Sequence, residues 1–535
     1  MILPVLLLLQ LISFTDAYKF LVYSPIFGYS HNNFMGAIAD TLTEAGHNVL
    51  ISFNDAYKFL VYSPIFGYSH NNFMGAIADT LTEAGHNVTM LMPVMNVEFE
   101  NKTGVKLTNN VIKVATHPQV AEYFKHRKEI YSKVWTVRPS LLAQMKMFQN
   151  MTYSYSCQCE IISDKALLAR FRMEKFDAGI AEPISACGFG VFEILNIPTS
   201  IAASSLVHLE PISEFIGEPN FLSYVPGSMA SSTDRMNILE RLQNVVDFFI
   251  TRFILNNLFD KELTIILKKF GSHFKHSKDM TTKVFQQLLS ETSFMLTNSN
   301  PYIDFPRPTL HKTVAIGGIT VSADLRRNRL PEKWDTILNE RNHTVLVSFG
   351  SVAKAVYMPD KYKKTLLKVF ESMPDTTFIM KYEEEKDVWA DHLSNVHLDV
   401  WLPQHALLGR CFFLSRKENA KLKYQLITAD PRLDVFITHG GLGSTTELAH
   451  QGKPAILIPL FGDQPRNAQM LARHGGSIVL SKYDLENPEK LKESLLAILK
   501  NPSYSRNAKR LSEMLLNQPI SAKQLLVRHC EFAAR

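Results

Sequence analysis

The chain has 535 residues, of which 46% are hydrophobic and 20% are charged, so it is a globular chain too long for a single core. Its 57 basic and 51 acidic residues give a formal net charge of +6 and are spread along the whole length. Because no dense Lys/Arg block is present, nucleic acid is not an expected partner.

The first residues predict entry into the secretory pathway. Residues 2–12 form a nearly unbroken apolar run, which is too short to span a bilayer but has the length of a signal-peptide core. We therefore predict a signal peptide over residues 1–17, cleaved near Ala17, with a buried first strand as the alternative. Four Asn-x-Ser/Thr sequons fit a glycoprotein of the secretory pathway: Asn87, Asn101, Asn150 and Asn342.

Two further features limit the class of protein. After residue 17, no stretch has the roughly eighteen uncharged apolar residues that a transmembrane helix needs. The cysteines are too few and too scattered for a disulfide scaffold or a zinc site, although one disulfide is left open. They are Cys157, Cys159, Cys187, Cys411 and Cys530.

The amino-terminal region contains a duplication. Residues 11–49 recur as residues 50–88 with one difference, Thr15 against Asn54. Solenoid repeats diverge and come in threes or more, so we interpret this single copy as a recent duplication of coding sequence or a faulty gene model. Each copy has the pattern of a strand, a loop and a helix, but only the second continues directly into another strand. We therefore place the second copy in the sheet.

The rest of the chain alternates β-rich runs with helical patterns, which predicts parallel sheets covered by helices. The β-rich runs of the first series are 57–63, 88–92, 176–181, 198–202 and 293–297. A Pro-rich stretch follows at residues 301–308. The β-rich runs of the second series are 344–349, 376–380, 396–400, 434–438 and 454–459. We predict two doubly wound α/β domains that face each other across a cleft, with ligands beyond the carboxyl ends of the strands.

Residues 436–450 carry the densest chemical signal. A buried strand ends at Thr438, glycines follow, and a helix begins near Ser444 with its amide groups free to bind a diphosphate. A dinucleotide fingerprint is the alternative, because Gly441-x-Gly443 opens a helix. That alternative fails at the third glycine position, where Thr446 stands.

Two flanking motifs narrow the class of ligand that this region binds. Trp401 and Gln404 follow a strand, and an indole face with an amide suits a uracil ring. Asp463 and Gln464 follow another strand and have the groups to hold sugar hydroxyls. Without the loop between them, ordinary packing at a strand end would be the better explanation of Trp401 and Gln404.

Together these motifs resemble the nucleotide-sugar signature of UDP-glycosyltransferases, and they are most similar to animal UDP-glucuronosyltransferases. The resemblance implies the two-domain GT-B fold, with the donor bound by the carboxy-terminal half and the acceptor by the amino-terminal half. The boundaries we expect are a signal peptide (1–17), a duplicated segment (18–49), an acceptor domain (50–297), a linker (298–325), a UDP-sugar domain (326–520) and a tail (521–535).

The resemblance also assigns the donor-binding residues. It implies that Trp401 stacks on uracil, that Glu447 binds ribose, and that Asp463 with Gln464 contacts the sugar. The full expected donor set is Ser351, Trp401, Gln404, His439, Gly441, Gly443, Ser444, Thr445, Glu447, Asp463 and Gln464.

The catalytic base that the resemblance implies is a histidine in a Ser-His pair after the first strand. His70 fills this position, and His31 is its duplicate. The expected partner is an aspartate after a later strand, where this chain has Glu182. Asp177 lies nearer the start of that strand, where it would cap or face solvent. The implied reaction is a single inverting displacement without a cofactor, and because no Asp-x-Asp pair is present we expect no metal.

The chain departs from the family pattern in two places. Residues 409–428 have no counterpart in the family pattern, and the chain stops at Arg535, where family members continue to a membrane helix.

The expected partners are UDP-glucuronic acid or another UDP-sugar and a small lipophilic acceptor, in the endoplasmic reticulum lumen or at its membrane, as in detoxification. Self-association is left open. The alternatives are a UDP-glucosyltransferase, a UDP-sugar-binding form without turnover, and a sugar-nucleotide epimerase or hydrolase.

Overall fold

The computed structural model describes residues 19–24, 29–45, 48–53, 56–138, 140–274, 281–321, 330–384, 389–411 and 427–535. The predicted signal peptide and most of the predicted insertion, residues 412–426, lie outside the described residues. Two compact units divide the chain. One holds the residues up to 57 together with 85–87, and the other holds 58–84 and 88–535.

The first unit contains the first copy of the duplicated segment. Strand β1 (Lys19–Ser24), helix α1 (Tyr29–Glu44) and strand β2 (Asn48–Phe53) follow one another, and the two strands pair in parallel. The second strand crosses the boundary between the two copies, so the first copy has both strands it needs for its own strand-helix-strand unit. His31 lies in α1, and its side chain is outside the described part of the chain.

The second unit begins with a seven-stranded sheet in the amino-terminal half, in the order β5-β4-β3-β6-β7-β8-β9. Its strands are β3 (Lys58–Tyr62), β4 (Asn87–Pro93), β5 (Asn110–Val114), β6 (Ala178–Ala181), β7 (Thr199–Ser204), β8 (Phe294–Thr297) and β9 (Thr313–Ala315). Strand β3, from the second copy, pairs in parallel with β6. The strand order reverses between β3 and β6, which is where doubly wound sheets bind their ligands.

Helices cover both faces of this sheet. They are α2 (Tyr68–Glu83), α3 (Pro118–Lys125), α4 (Arg127–Thr136), α5 (Leu141–Ile162), α6 (Lys165–Arg172), α7 (Cys187–Ile194), α8 (Glu210–Phe215), α9 (Ile238–Phe270) and α10 (Thr281–Ser290). The long α9 begins with a capping box between Asn237 and Glu240. Its buried face packs on the core, and each fully buried Leu, Ile or Phe contributes about 1.5–3 kcal/mol. A disulfide between Cys159 and Cys187 joins α5 to α7.

The carboxy-terminal half is built on a six-stranded sheet in the order β12-β11-β10-β15-β16-β17, paired in parallel throughout. Its strands are β10 (His343–Ser348), β11 (Thr376–Lys381), β12 (Val396–Asp399), β15 (Val435–Thr438), β16 (Ala455–Leu457) and β17 (Ser477–Val479). The order reverses between β10 and β15. Strands β13 (Gly409–Cys411) and β14 (Ile427–Ala429) pair antiparallel at the two ends of the predicted insertion.

Helices again lie between the strands. They are α11 (Glu332–Ile337), α12 (Asp360–Glu371), α13 (Gln404–Leu408), α14 (Leu442–Gln451), α15 (Gln464–Ala472), α16 (Pro488–Lys500), α17 (Pro502–Leu516) and α18 (Ala522–Ala534). Short 3₁₀ turns occur at Val97–Phe99, Gly271–His273, Ala355–Tyr357 and Lys482–Glu486. Within the described residues, none of the helices combines the length and apolar character needed to cross a bilayer.

Two segments that the sequence pattern assigns to a linker and a tail belong to the packed structure. The predicted linker, residues 298–325, contains β9, which pairs in parallel with β8 and extends the amino-terminal sheet. The predicted tail, residues 521–535, forms α18, whose Leu526 and Cys530 are fully buried. The ring of His529 contacts that of Phe294 in β8, with 4.9 Å between their centroids. The last helix therefore packs against the amino-terminal sheet.

Candidate active site

His70 and Glu182 meet at the point where the order of the amino-terminal strands reverses. Strands β3 and β6 end in register, Tyr62 opposite Ala181. Glu182 follows β6 directly, and His70 lies in the first turn of α2, after the loop that follows β3. The imidazole Nδ1 lies 3.0 Å from Oε1 and 2.9 Å from Oε2 of the carboxylate. The topology thus brings together two residues that are 112 positions apart.

The carboxylate changes both the orientation and the basicity of His70. Because Nδ1 donates to Glu182, Nε2 is the ring nitrogen left to accept a proton. Burial by itself lowers the pKa of His70, but the charge and hydrogen bond of Glu182, with a smaller contribution from Asp463, raise it above the ordinary value of 6.5. The phenyl ring of Phe66 lies against the imidazole at 4.3 Å and gives this corner an apolar wall.

Ser205 is a third member of this cluster that the sequence analysis did not single out. It follows the end of β7, the strand beside β6. Its backbone N–H donates to Glu182 Oε1 at 3.0 Å, and its hydroxyl donates to the same oxygen. The Ser205 Oγ also lies 2.8 Å from His70 Nδ1. Asp177, by contrast, accepts from the backbone N–H of Lys58 near the other end of β6 and takes no part in the cluster.

In the carboxy-terminal half, His439 lies between two glycine turns. Strands β10 and β15 end in register, Ser348 opposite Thr438, so the turns after them adjoin. A Cβ on Gly350 would lie 2.7 Å from the His439 ring, and one on Gly441 would lie 2.6 Å from it. Gly350 also has φ +82°, a conformation that favours glycine. Both turns therefore need glycine to leave room for the imidazole.

His439 is uncharged at neutral pH. Burial and the nearby Lys381 ammonium lower the pKa of His439 to about 4. Lys381 is itself buried at the end of β11, and its Nζ donates to the carbonyl oxygen of Gly350 at 2.6 Å. A neutral N–H donor, a buried cation and the amino terminus of α14 thus lie at one edge of the sheet, which suits a diphosphate.

Gln404, Ser444 and Glu447 form one hydrogen-bonded group beside this edge. The Gln404 side-chain amide donates to Ser444 Oγ at 3.1 Å and to Glu447 Oε2 at 2.5 Å. Burial raises the pKa of Glu447 to about 7. Trp401 lies nearby with 46% of its surface exposed, contacted edge-on by Tyr68 at 5.6 Å. The predicted uracil and ribose contacts are therefore neighbours in space.

Asp463 and Gln464 begin α15. The Asp463 Oδ2 accepts from Asn467 at 2.7 Å, and burial raises the pKa of this carboxyl. Gln464 Oε1 accepts from the backbone N–H of Leu460 and of Phe461, so its amide nitrogen is the group left for a ligand. The charge of Asp463 contributes to raising the pKa of His70, so the loop predicted to contact the sugar acts electrostatically on the histidine of the other half.

The remaining residues predicted to bind the donor sugar nucleotide differ in how exposed they are. Ser351 is half-buried in the turn after β10, and Gly443 is exposed at the first turn of α14. The side chain of Thr445 does not face the site. It is fully buried, and its hydroxyl donates to the carbonyl of Gly441 one turn earlier. A threonine inside a helix commonly makes this bond, so the prediction of a donor contact through this side chain is not supported by the geometry.

Two doubly wound halves, with a histidine–carboxylate pair in one and a glycine turn that opens a helix in the other, have the GT-B architecture of glycosyltransferases. Solved structures agree on the fold. The glycosyltransferase VinC in complex with dTDP matches 89% of this chain and 100% of its own, with a TM-score of 0.54 at 16% identity. The spinosyn rhamnosyltransferase SpnG matches 89% of this chain and 100% of its own, with a TM-score of 0.52 at 13% identity.

The model of the family described as "UDP-glucoronosyl and UDP-glucosyl transferase" matches residues 57–413 and 424–535, and the chain belongs to that family. Two relatives from Caenorhabditis elegans are named "Putative UDP-glucuronosyltransferase". One, ugt-48, is 27% identical over 99% of this chain and 88% of its own, and the other, ugt-55, is 30% identical over 93% and 85%. The human 2-hydroxyacylsphingosine 1-beta-galactosyltransferase is 28% identical over 73% of this chain and 65% of its own. The chain is therefore a transferase of sugars from UDP-sugar donors.

Proposed function

We propose that this chain transfers glucuronic acid from UDP-glucuronic acid to a hydroxyl of a small lipophilic acceptor, with inversion at the anomeric carbon. The observation that carries the proposal is the His70–Glu182 pair at 2.9 Å, held beside Asp463 of the donor-side loop. A base and a donor loop supplied by opposite halves of one cleft fit a direct displacement between two bound substrates.

The proton transfer follows from the tautomer. Glu182 accepts a hydrogen bond from the Nδ1–H of neutral His70. Nε2 is therefore free to remove the proton of the acceptor hydroxyl as its oxygen attacks the anomeric carbon. The resulting imidazolium lies against the carboxylate, which stabilises its charge. Phe66 beside the ring supports an apolar acceptor, because an aromatic face gains by covering an apolar ligand.

The leaving UDP gains charge as the glycosidic bond breaks. The amino terminus of α14 carries a partial positive charge of roughly half a unit. The Lys381 ammonium lies nearby, with its charge partly offset by Glu383 at 3.4 Å. His439, with its pKa lowered to about 4, contributes an N–H donor rather than a charge. Fixed donors aimed at a developing charge lower the barrier without reorganisation. We assign these three groups to the diphosphate.

Glucuronic acid is favoured as the donor sugar by the names of the worm relatives, and UDP-glucose is the alternative donor. The disulfide between Cys159 and Cys187 supports a location in the secretory pathway, because disulfides persist in oxidising compartments.

The test is transfer from labelled UDP-glucuronic acid, UDP-glucose and UDP-galactose to a panel of phenols and aliphatic alcohols. We expect transfer from UDP-glucuronic acid, and a loss of about 100-fold or more in His70→Gln with UDP affinity unchanged. His392→Gln is the matched control, since His392 is exposed and is not among the residues assigned to the site. Preference for another UDP-sugar would show that glucuronic acid is not the donor sugar. Full activity in His70→Gln would exclude His70 as the base.

A second comparison addresses the form that binds without turnover. A chain lacking residues 11–49 and 409–428 is assayed beside the full chain for UDP binding and for transfer. Transfer by both forms would show that the duplicated and inserted segments are tolerated. UDP binding by both with transfer by the shortened form alone would mean that the full sequence is an impaired transferase.

A further inference from the structure

The cluster around His70 lies beyond the carboxyl ends of three adjacent strands. Glu182 directly follows β6, Ser205 directly follows β7, and His70 lies in the first turn of α2, after the loop that follows β3. Two groups of Ser205, the backbone N–H and the hydroxyl, donate to the same oxygen, Oε1 of Glu182. The carboxylate is 5% exposed, so these bonds are shielded from water and involve a charged acceptor, the strong class of hydrogen bond.

A glutamate has a particular need for such support. Its carboxylate is separated from the backbone by one more rotatable bond than that of an aspartate, so it has more orientations in which it misses the histidine. Ser205 fixes Oε1 by two bonds, which leaves Oε2 at 2.9 Å from His70 Nδ1. The Ser205 Oγ also lies 2.8 Å from the same nitrogen and provides a second acceptor for its proton.

We propose that Ser205 is a positioning residue for the transfer reaction, which holds the Glu182 carboxylate and the Nδ1–H tautomer of His70 so that Nε2 faces the acceptor hydroxyl. The proposal rests on the proposed function, because it assigns His70 as the base. Ser205 acts on the reaction through Glu182 and His70 and does not itself exchange a proton with substrate.

The chain provides a matched control in the preceding residue. Ser204 is the last residue of β7, is fully buried, and its hydroxyl has no hydrogen-bond partner among the described residues. Ser204→Ala and Ser205→Ala remove the same atom from adjacent positions, but only the second removes a bond to the cluster. A difference between the two variants therefore reports the hydrogen bonds of the Ser205 hydroxyl and not simply the loss of a buried hydroxyl.

The kinetic experiment measures kcat and KM for the UDP-sugar in both variants. We expect Ser205→Ala to lower kcat roughly 10- to 100-fold, as for the loss of a bond to a charged group, with KM within about twofold. Ser204→Ala is expected to keep kcat within about threefold of the wild-type value. In a Glu182→Gln background, where the acceptor charge is gone, Ser205→Ala should lower kcat by about threefold or less. Equal losses in the two backgrounds would overturn the proposal.

A second readout is independent of transfer. A hydrogen-bonded, slowly exchanging Nδ1–H of His70 gives a downfield proton resonance, assigned by its absence in His70→Gln. We expect this resonance to move and broaden in Ser205→Ala and to stay in place in Ser204→Ala. An unchanged resonance in Ser205→Ala would overturn the proposal even if the kinetics changed. Absence of transfer by the wild-type chain would count against the proposed function alone, and the resonance would then decide the role of Ser205.

Discussion

Trp135 packs edge-on against Phe349, with 5.0 Å between the ring centroids, although the two residues belong to different halves of the chain. Trp135 lies in the last turn of its helix, α4, and is fully buried in the core of the carboxy-terminal half. Its indole N–H donates to the carbonyl of Lys354 at 2.9 Å. Phe349 directly precedes the Gly350 turn beside His439. One half therefore supports the Gly350 turn of the other, which we propose faces the diphosphate.

This contact predicts a loss of both stability and donor affinity in Trp135→Ala. Removing a fully buried indole should lower the free energy of unfolding by about 3–5 kcal/mol. Because Phe349 loses its neighbour, UDP should also bind more weakly. Trp135→Phe keeps an aromatic ring and should lose about 1 kcal/mol, mainly the hydrogen bond to Lys354. Denaturant unfolding and calorimetric UDP titration measure both effects. Wild-type unfolding in Trp135→Ala would contradict this role.

A methyl group at residue 441 should weaken UDP binding by displacing His439. The φ of Gly441 is −60°, so alanine is permitted there, and the clash with the imidazole at 2.6 Å is the expected cause of any loss. Overpacking of this kind costs about 1–3 kcal/mol, or roughly 5- to 150-fold in affinity. His439→Ala removes the obstacle, so Gly441→Ala should add little in that background. The Kd values for UDP of the four proteins give the coupling, and additive losses would exclude the clash.

The sequence predicts the features that depend on local pattern. The GT-B fold and membership of the UDP-glycosyltransferase family are confirmed. The pattern of residues 436–450 predicts a strand, a glycine turn and a helix, and the structure has β15 and α14 there. A buried strand followed by glycines can be recognised from a short stretch of sequence. Ser205 and Trp135 carry no such signal. Their roles depend on which strands are neighbours and on how one half packs against the other, and neither is encoded in a short window.

The predicted linker and tail also depend on contacts between distant parts of the chain. The three residues of β9 are too few to show a strand period, and they become a strand only by pairing with β8. Helix α18 has an amphipathic pattern, but the surface that buries Leu526 comes from residues far away in the sequence. Tertiary packing, which sequence pattern does not report, sets these two boundaries.

Removing the disulfide should destabilise the amino-terminal half. The Cys159–Cys187 bond closes a loop with a sequence separation of 28, for which loop-closure entropy gives about 3–4 kcal/mol. The bond also joins α5 to the segment that follows Glu182, so the double variant Cys159→Ala with Cys187→Ala should lower transfer as well as the melting temperature. Cys157→Ala is the control, since that thiol is free and nearly as buried. Equal melting temperatures in the two variants would contradict a stabilising role.

Deleting residues 414–423, the segment that the family model does not match, should leave UDP binding intact. Cys411 and Ile427, the described residues nearest to the segment on either side, are paired across β13 and β14. Shortening a loop changes its closure entropy by only about 1 kcal/mol. We expect the Kd for UDP to stay within about twofold of the wild-type value, measured by calorimetry. A loss of more than about tenfold would show that the segment contributes to the donor site.

The pH dependence of transfer tests the His70–Glu182 pair directly. In the proposed function neutral His70 is the base, and the Glu182 carboxylate raises its pKa above 6.5, so the rate should rise with pH through a midpoint above that value. Glu182→Gln removes the charge that favours the imidazolium. The pKa of His70 should then fall, and the acid limb should move to lower pH while the maximal rate decreases.

Two precautions make this shift interpretable. The pKa of Glu447 is about 7, so the profile is measured as kcat at saturating UDP-sugar to separate donor binding from the base. Asp177→Asn is the matched control, because Asp177 and Glu182 flank the same strand, β6, but Asp177 accepts from the backbone N–H of Lys58 instead of from His70. Its acid limb should coincide with that of the wild type. If the limb stayed in place in Glu182→Gln, the group that titrates in the reaction would be a residue other than His70.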